Sequence, residues 1–241
     1  FLGGESAIDW IQPSGGSQIN TSGIDQLAAG EANGNYDAVI TGTATGDQLL
    51  GTNGVDLIEG LGGDDQLYGF AGNDRLEGGN GADYLTGGNG SGTGSGDDIL
   101  IGGEGDDTLW GEDANDQMDG GNGNDHYFYY AGGGQDIITD SGDGQDVLFF
   151  NDVAPQRLSY HQDGDDLIVL VDGDLEQKVR VVDHFLGGNN AILVQPNGGY
   201  TQTATDILNQ LTPLPDASDG GSGEQGSDPG TGETPPTSGV S

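Results

Sequence analysis

The feature that most constrains the fold is a nine-residue repeat that runs from Gly42 to Phe128, with a six-residue insertion near residues 87–92. The sixth position is aspartate in all nine units, and the eighth position is apolar in all nine. Glycine holds eight of nine first positions, with Thr93 as the exception, and seven of nine fourth positions, where Thr45 and Ala114 stand instead. A repeat this regular decides the fold before any local propensity is considered.

The composition of one unit predicts its local structure. The first six residues are rich in glycine, asparagine and aspartate, which tolerate positive φ and make tight turns. The last three residues form a short strand whose middle side chain points inward, because neighbouring side chains on a strand face opposite ways. Two units then make one coil, and stacked coils make an all-β parallel β-roll.

The core of such a roll is thin, because each coil buries only one apolar side chain from each of its two sheets. That burial does not offset a backbone ordering cost of about 1 to 2 kcal/mol per residue. The chain also carries 41 acidic and 4 basic residues, a formal charge of −37, which excludes nucleic acid as a partner. It has no cysteine for disulfides or thiolate sites, so a divalent cation is the expected staple.

Two units, 102–110 and 120–128, match the pattern GGxGxDxUx at every defined position. In this the chain resembles the repeats-in-toxin (RTX) family of haemolysin-type calcium-binding proteins. The resemblance implies a right-handed parallel β-roll that binds several Ca²⁺ ions, mostly between turns one coil apart. Carboxylate and carbonyl oxygens are the ligands that Ca²⁺ prefers.

The resemblance also implies the metal ligands. The sixth-position candidates, with the next aspartate in the series, are Asp47, Asp56, Asp65, Asp74, Asp83, Asp98, Asp107, Asp116, Asp125 and Asp136. The candidates from the first four positions, mainly through backbone carbonyls, are Thr43, Thr45, Thr52, Gly54, Gly60, Leu61, Gly62, Gly63, Gly69, Ala71, Gly78, Asn80, Gly94, Gly96, Gly102, Gly103, Glu104, Gly105, Gly111, Asp113, Gly120 and Asn122. Thr45 and Ala114 break the glycine pattern in the turns of Asp47 and Asp116. The insertion leaves open whether Asp74 pairs with Asp98 and Asp83 with Asp107.

After Phe128 the spacing loosens, and we interpret residues up to 150 as the last coils. The segment 151–211 is expected to cap the roll, with two strands around Asp163 to Asp166, a turn at Asp172 to Asp174 and a strand over Lys178 to Val182. Asp163, Asp165 and Asp172 are candidates for a further ion, although ordinary turn chemistry is favoured there.

A second repeat links the two flanks, because residues 1–29 resemble residues 185–211 at an offset near 184. Each copy is predicted to form a hairpin followed by a short helix, which indicates either tandem blocks or one capping motif used twice. We therefore divide the chain into an N-terminal flank (1–40), a calcium-binding β-roll (41–150), a cap with a short helix (151–211) and a linker of Gly, Ser, Pro, Thr and acidic residues (212–241).

No catalytic arrangement is found. His126, His161 and His184 show no HExxH pairing, and no GxSxG motif occurs. The only GxGxxG match, 221–226, lies in the linker, and the carboxylate pairs of the roll all share one environment, unlike a glycosidase pair. The chain is therefore predicted not to be an enzyme.

Three functions are carried forward. The first is a calcium-triggered folding module of a secreted protein at the surface of a Gram-negative bacterium, for which the family resemblance implies export by type I secretion machinery. The second is the non-catalytic export or stability region of a secreted enzyme or toxin. The third is a stalk block of a large adhesin. No run of residues approaches the roughly 18 apolar residues of a membrane span.

Overall fold

The computed structural model describes residues 10–11, 19–20, 36–90, 96–186 and 192–215. Its strands are β1 (Trp10–Ile11), β2 (Ile19–Asn20), β3 (Ala38–Thr41), β4 (Gln48–Leu50), β5 (Asp56–Gly62), β6 (Gln66–Tyr68), β7 (Arg75–Asn80), β8 (Tyr84–Thr86), β9 (Ile99–Glu104), β10 (Thr108–Trp110), β11 (Gln117–Asn122), β12 (His126–Tyr129), β13 (Gln135–Ile138), β14 (Val147–Phe150), β15 (Leu158–Asp163), β16 (Asp166–Val171), β17 (Asp174–Val181) and β18 (Leu193–Pro196). A 3₁₀ turn (Pro155–Arg157) precedes β15, and helix α1 (Ala204–Leu208) follows β18.

Successive strands of the repeat alternate between two sheets. One sheet has the order β18-β14-β12-β10-β8-β6-β4, and the other has the order β15-β16-β17-β13-β11-β9-β7-β5-β3. From β3 to β14 the neighbours within each sheet are parallel and come from units two apart, so Leu49 pairs with Leu67 and Ile58 pairs with Leu76. The predicted all-β class and the β-roll are confirmed.

The interior of the roll is a double ladder of strand-centre side chains, all of them buried. One sheet contributes Leu49, Leu67, Leu85, Leu109, Tyr127 and Leu148, and the other contributes Ile40, Ile58, Leu76, Leu100, Met118 and Ile138. The core is therefore as thin as the repeat predicts, and each coil adds one such side chain per sheet.

The insertion leaves the stacking of coils intact. Strand β8 still pairs with β10, so Leu85 lies beside Leu109, and β7 pairs with β9. The Gly87 amide donates to the Trp110 carbonyl at 2.9 Å, as the first-position Gly69 amide donates to the Thr86 carbonyl at 3.0 Å. The first position of the sixth unit is therefore Gly87 rather than Thr93, and the extra residues follow Gly87. Thr93 and Gly94 lie outside the described residues.

The segment after the roll extends both sheets. Strands β15, β16 and β17 form an antiparallel meander, and β17 also pairs in parallel with β13, the last roll strand of its sheet. Strand β18 pairs in parallel with β14. The two predicted strands around Asp163 to Asp166 are confirmed, but β17 begins at Asp174 rather than Lys178. The reason is a two-residue turn with positive φ at Asp172 (55°) and Gly173 (73°), a geometry that carries hairpin pairing directly into the next residue.

The chain then returns over this end of the molecule. An isolated antiparallel bridge joins Val194 to Gln202, and α1 begins after Thr203, whose side chain and that of Asp206 form a reciprocal capping box. Ile207 on α1 is fully buried. The hairpin and helix predicted for residues 185–211 are thus present, whereas the matching call for residues 1–29 falls outside the described residues except for β1 and β2, which pair antiparallel. Within the described ranges no helix is long and apolar enough to cross a membrane.

Candidate metal centres between stacked turns

The sixth-position aspartates form two rows, one along each side of the roll. Row A contains Asp47, Asp65, Asp83, Asp107, Asp125 and Asp146, and row B contains Asp56, Asp74, Asp98, Asp116 and Asp136. Within a row, each backbone amide donates to Oδ1 of the aspartate one coil further along the chain. The nitrogen to oxygen distances run from 2.7 Å for Asp47 with Asp65 to 3.1 Å for Asp116 with Asp136.

The pairs that the insertion left open are formed. The Asp74 amide donates to Asp98 Oδ1, and the Asp83 amide donates to Asp107 Oδ1, both at 2.7 Å. The turn of Asp116 also keeps its geometry, because Ala114 adopts a φ of 85° in the left-handed region that the fourth-position glycines occupy. The breaks in the glycine pattern therefore do not break the rows.

The second carboxylate oxygen is buried without a hydrogen-bond donor in most levels of both rows. This holds for Oδ2 of Asp65, Asp74, Asp83, Asp107, Asp116 and Asp125. Asp47 and Asp56 differ, because their Oδ2 atoms accept hydrogen bonds from the backbone amides of Thr43 and Thr52. A buried carboxylate oxygen without a partner is costly, since its hydration is lost and nothing replaces it.

The electrostatics of the rows reflect this cost. Burial raises the pKa of Asp74 and of Asp107 to about 8, and neighbouring aspartates in the same row raise it further against the opposing effect of the amide hydrogen bond. Burial together with the Asp136 carboxylate raises the pKa of Asp116 to about 9. Without a counter-charge, these groups hold protons at neutral pH.

First-position glycines complete each level. A Cβ on Gly60 would lie 2.4 Å from Asp65 Oδ2 and 2.5 Å from the Gly78 carbonyl oxygen. A Cβ on Gly102 would lie 2.3 Å from Asp107 Oδ2 and 2.5 Å from the Gly120 carbonyl oxygen. The glycine thus lets a carboxylate oxygen and a carbonyl oxygen of the next coil approach each other, and any side chain there would separate them.

Among the predicted carbonyl ligands, third-position residues already bond between coils. The carbonyls of Asn80, Glu104 and Asn122 accept the amides of Gly63, Gly81 and Gly105, each at 2.7 Å. A carbonyl oxygen has two lone pairs, so one remains for a cation. Gly94 lies outside the described residues.

The sequence analysis missed two aspartates. Asp146 was assigned to the last coils but not to the ligands, although its Oδ1 accepts the Asp125 amide at 2.8 Å as any row A member would. Asp140 is buried, and neither of its oxygens has a donor. The available signal was the spacing of ten residues between Asp136 and Asp146.

In the described ranges, no three Asp, Glu, His or Cys side chains form a ready-made metal-ligand group. A metal level in this roll therefore consists of stacked aspartates supplemented by backbone oxygens. In the cap, Asp163 and Asp166 bind Arg180 at 2.5 Å, and Asp172 binds Arg157 at 2.6 Å. Asp163 and Asp172 are thus neutralised by arginine, which argues against the further ion considered there.

The histidines form no common site. His126 is exposed and packs edge-on against Phe149, whereas His161 bonds through Nε2 to Ser159 Oγ at 2.9 Å and through Nδ1 to the Thr212 carbonyl at 2.8 Å. His184 is buried, and burial lowers its pKa to about 4.

The family model for the RTX calcium-binding nonapeptide repeat matches residues 41–76, 71–93 and 92–127. These residues are RTX repeats. Among solved structures, the chain is similar to the solution structure of the AlgE6R3 subunit from the Azotobacter vinelandii mannuronan C5-epimerase. The two share 21% identity over 86% of this chain and 99% of that chain, with a TM-score of 0.24, so the comparison adds nothing to the fold described above. No curated protein matches the chain.

Proposed function

The RTX repeats make this chain a calcium-binding structural module. We propose that it folds when Ca²⁺ binds after secretion, as part of a large extracellular or surface protein of a Gram-negative bacterium exported by type I secretion machinery. The observation that carries the proposal is the set of six buried Asp Oδ2 atoms without a donor. They lie in a roll where residues 41–150 contain one basic residue, Arg75, and Arg75 binds Glu77.

The residues present fit a hard divalent cation. Each level offers two carboxylates of one row, as with Asp65 and Asp83 or Asp98 and Asp116, and carbonyl oxygens from the first to fourth positions. Such oxygens are what Ca²⁺ takes, usually six to eight of them. In this proposal the ligands are the sixth-position aspartates and the turn residues named in the sequence analysis, together with Asp146. The bound ion would supply the positive charge that lets the buried carboxylates ionise together.

The same chemistry accounts for a switch between compartments. Extracellular calcium modules typically bind with Kd of about 10⁻⁴ to 10⁻³ M, so their sites fill outside the cell and stay largely empty in the cytosol. Because the site does not exist in the unfolded chain, binding free energy becomes folding free energy. The unfolded, self-repelling chain is the form that passage through a secretion channel requires.

The division into flank, roll, cap and linker belongs to this proposal. The likeness between residues 1–29 and 185–211 favours tandem blocks in a structural or adhesive protein. The alternative, a non-catalytic region of a secreted enzyme or toxin, has the same calcium chemistry and differs only in what else the parent protein contains. The sequence of the parent gene separates the two.

The test is a Ca²⁺ titration of the full chain, starting from EDTA and followed by far-UV circular dichroism and calorimetry. We expect strand content to appear together with calcium binding. Asp107→Asn should lower the free energy of unfolding in calcium by about 2 kcal/mol or more, because a buried charged ligand is lost. The control is Asp165→Asn, which removes the same charge from an exposed position in the cap. Equal strand content in EDTA and in calcium would end the proposal.

A further inference from the structure

One coil of row A differs from all others by a single extra residue. Ile138 pairs with Met118 at an offset of 20, but the Gln145 amide donates to Asn124 at an offset of 21. Near the start of this turn, the Ser141 amide and hydroxyl both donate to Asp119 Oδ1, at 3.1 and 3.0 Å. One residue has therefore been added between Ile138 and Gln145, just before the turn that ends in Asp146.

The addition places Asp140 inside the structure. Asp140 is 6% exposed, and neither of its carboxylate oxygens has a hydrogen-bond donor. Every other unpartnered buried aspartate in the described residues retains one amide bond through Oδ1, so Asp140 has the poorest compensation for burial.

The surroundings of Asp140 are acidic and contain no base. Its carboxyl lies within hydrogen-bonding reach of the Asp146 carboxyl, and the charges of Asp125 and Asp119 act on it as well. Asp146 is 2% exposed, and Asp125 is fully buried with Oδ2 unpartnered. The ion pairs of the described residues engage Arg75, Arg157 and Arg180 elsewhere, with none of these carboxylates.

We infer that Asp125, Asp140 and Asp146 form a calcium site with three carboxylates at the C-terminal end of row A, and that this site binds Ca²⁺ more tightly than the two-carboxylate levels. The affinity of calcium sites is set by the number of charged ligands and by rigidity, which favours this level over the others. The three carboxylates do not converge on one point in the structure. Side-chain rotation of Asp125 and Asp140 toward Asp146 would bring them together.

This inference rests on the proposed calcium function, and the experiment separates the two. Calorimetric titration of the full chain with Ca²⁺ should show a tight class of sites and a weaker class. Asp140→Asn should weaken the tight class about tenfold or more and leave the weaker class unchanged, since only one level loses a charged ligand. Asp143→Asn is the matched control, because it removes the same charge from an exposed side chain of the same turn.

A second measurement distinguishes ligation from packing. In EDTA, Asp140→Asn should raise the urea midpoint, because it removes a buried carboxylate that has no donor, whereas in calcium it should lower it. Asp140→Glu, which keeps the carboxylate, should retain more of the tight class than Asp140→Asn. The inference is overturned if Asp140→Asn and Asp143→Asn bind alike, if Asp140→Glu is no better than Asp140→Asn, or if all classes weaken equally. No Ca²⁺ binding by the unmodified chain would instead end the proposed function.

Discussion

The roll and the cap solve the same problem with opposite means. In the roll, each coil buries one apolar side chain per sheet beside carboxylates that lack a base. In the cap, the last five residues of β16, Leu167–Val171, are all buried, and the acidic side chains Asp163, Asp166 and Asp172 meet arginines. The cap is thus stabilised by burial and ordinary ion pairs, while the roll depends on what neutralises its two rows.

The two regions nevertheless share both sheets. Strand β17 continues from β13, with Val181 beside Ile138, and β18 continues from β14, with Val194 beside Leu148. A folded cap therefore presents a strand edge to the last coil in each sheet. The comparison teaches that the cap can keep its structure under conditions in which the roll loses its own.

The largest effect that would test this difference is calcium removal. In EDTA, amides of β7, β9 and β11 should lose most of their protection from hydrogen exchange, because the rows then repel. Amides of β16 should keep much more of theirs, because their burial does not involve the rows. Exchange measured by mass spectrometry in calcium and in EDTA checks this. Equal loss in both regions would break the comparison.

The next effect is the pH dependence in EDTA. Burial raises the pKa of Asp74 and Asp107 to about 8, above the value near 4 of an unfolded chain. The folded roll then binds more protons than the unfolded chain between these values, so its stability is full below about pH 4 and is lost as the pH rises toward 8. The urea midpoint of the roll in EDTA should fall over that range.

Calcium should reverse this trend, because the ion displaces the protons and binds better as the pH rises. Tryptophan fluorescence of Trp110, which lies on β10, follows the roll in both conditions. A midpoint that rises with pH in EDTA would contradict the assigned burial of the aspartates.

A smaller effect concerns a turn of the roll. Ala114 has a φ of 85°, a conformation that costs an L-residue about 1 kcal/mol or more. Ala114→Gly should therefore stabilise the calcium-bound roll by about 0.5 to 1 kcal/mol. Ala82→Gly is the matched control, because Ala82 lies in another turn of the roll without positive φ, and it should destabilise slightly. Urea unfolding in calcium gives both values, and a loss for Ala114→Gly would contradict the strained turn.

The smallest effect is expected in the cap. Asp172→Asn removes the partner of Arg157 in an exposed ion pair, whose contribution is about 0 to 1 kcal/mol. The change should be equally small in calcium and in EDTA, as judged by the unfolding midpoint. A calcium-dependent effect would show that the cap has a metal site after all and would erase the contrast with the roll.

The repeat alone was enough to predict the roll, the two ladders and ten members of the two rows, because position within the period decides what each residue does. Where the period fails, prediction failed as well. Gly87 rather than Thr93 starts the sixth unit, and Asp140 and Asp146 were missed as partners in row A. The pairing of β17 with β13 joins residues 43 positions apart, such as Gln135 and Lys178, and no local pattern encodes it.

The amide ladder of each row has a polarity. Every aspartate amide from Asp47 to Asp125 is satisfied by the carboxylate of the following coil, never by that of the preceding one. A roll cut from its N-terminal end leaves only a carboxylate that water can reach, whereas a roll cut from its C-terminal end leaves a buried donor with nothing to receive its proton. Trimming the two ends should therefore be unequal in cost, and the far end of the chain is the one that the rest cannot do without.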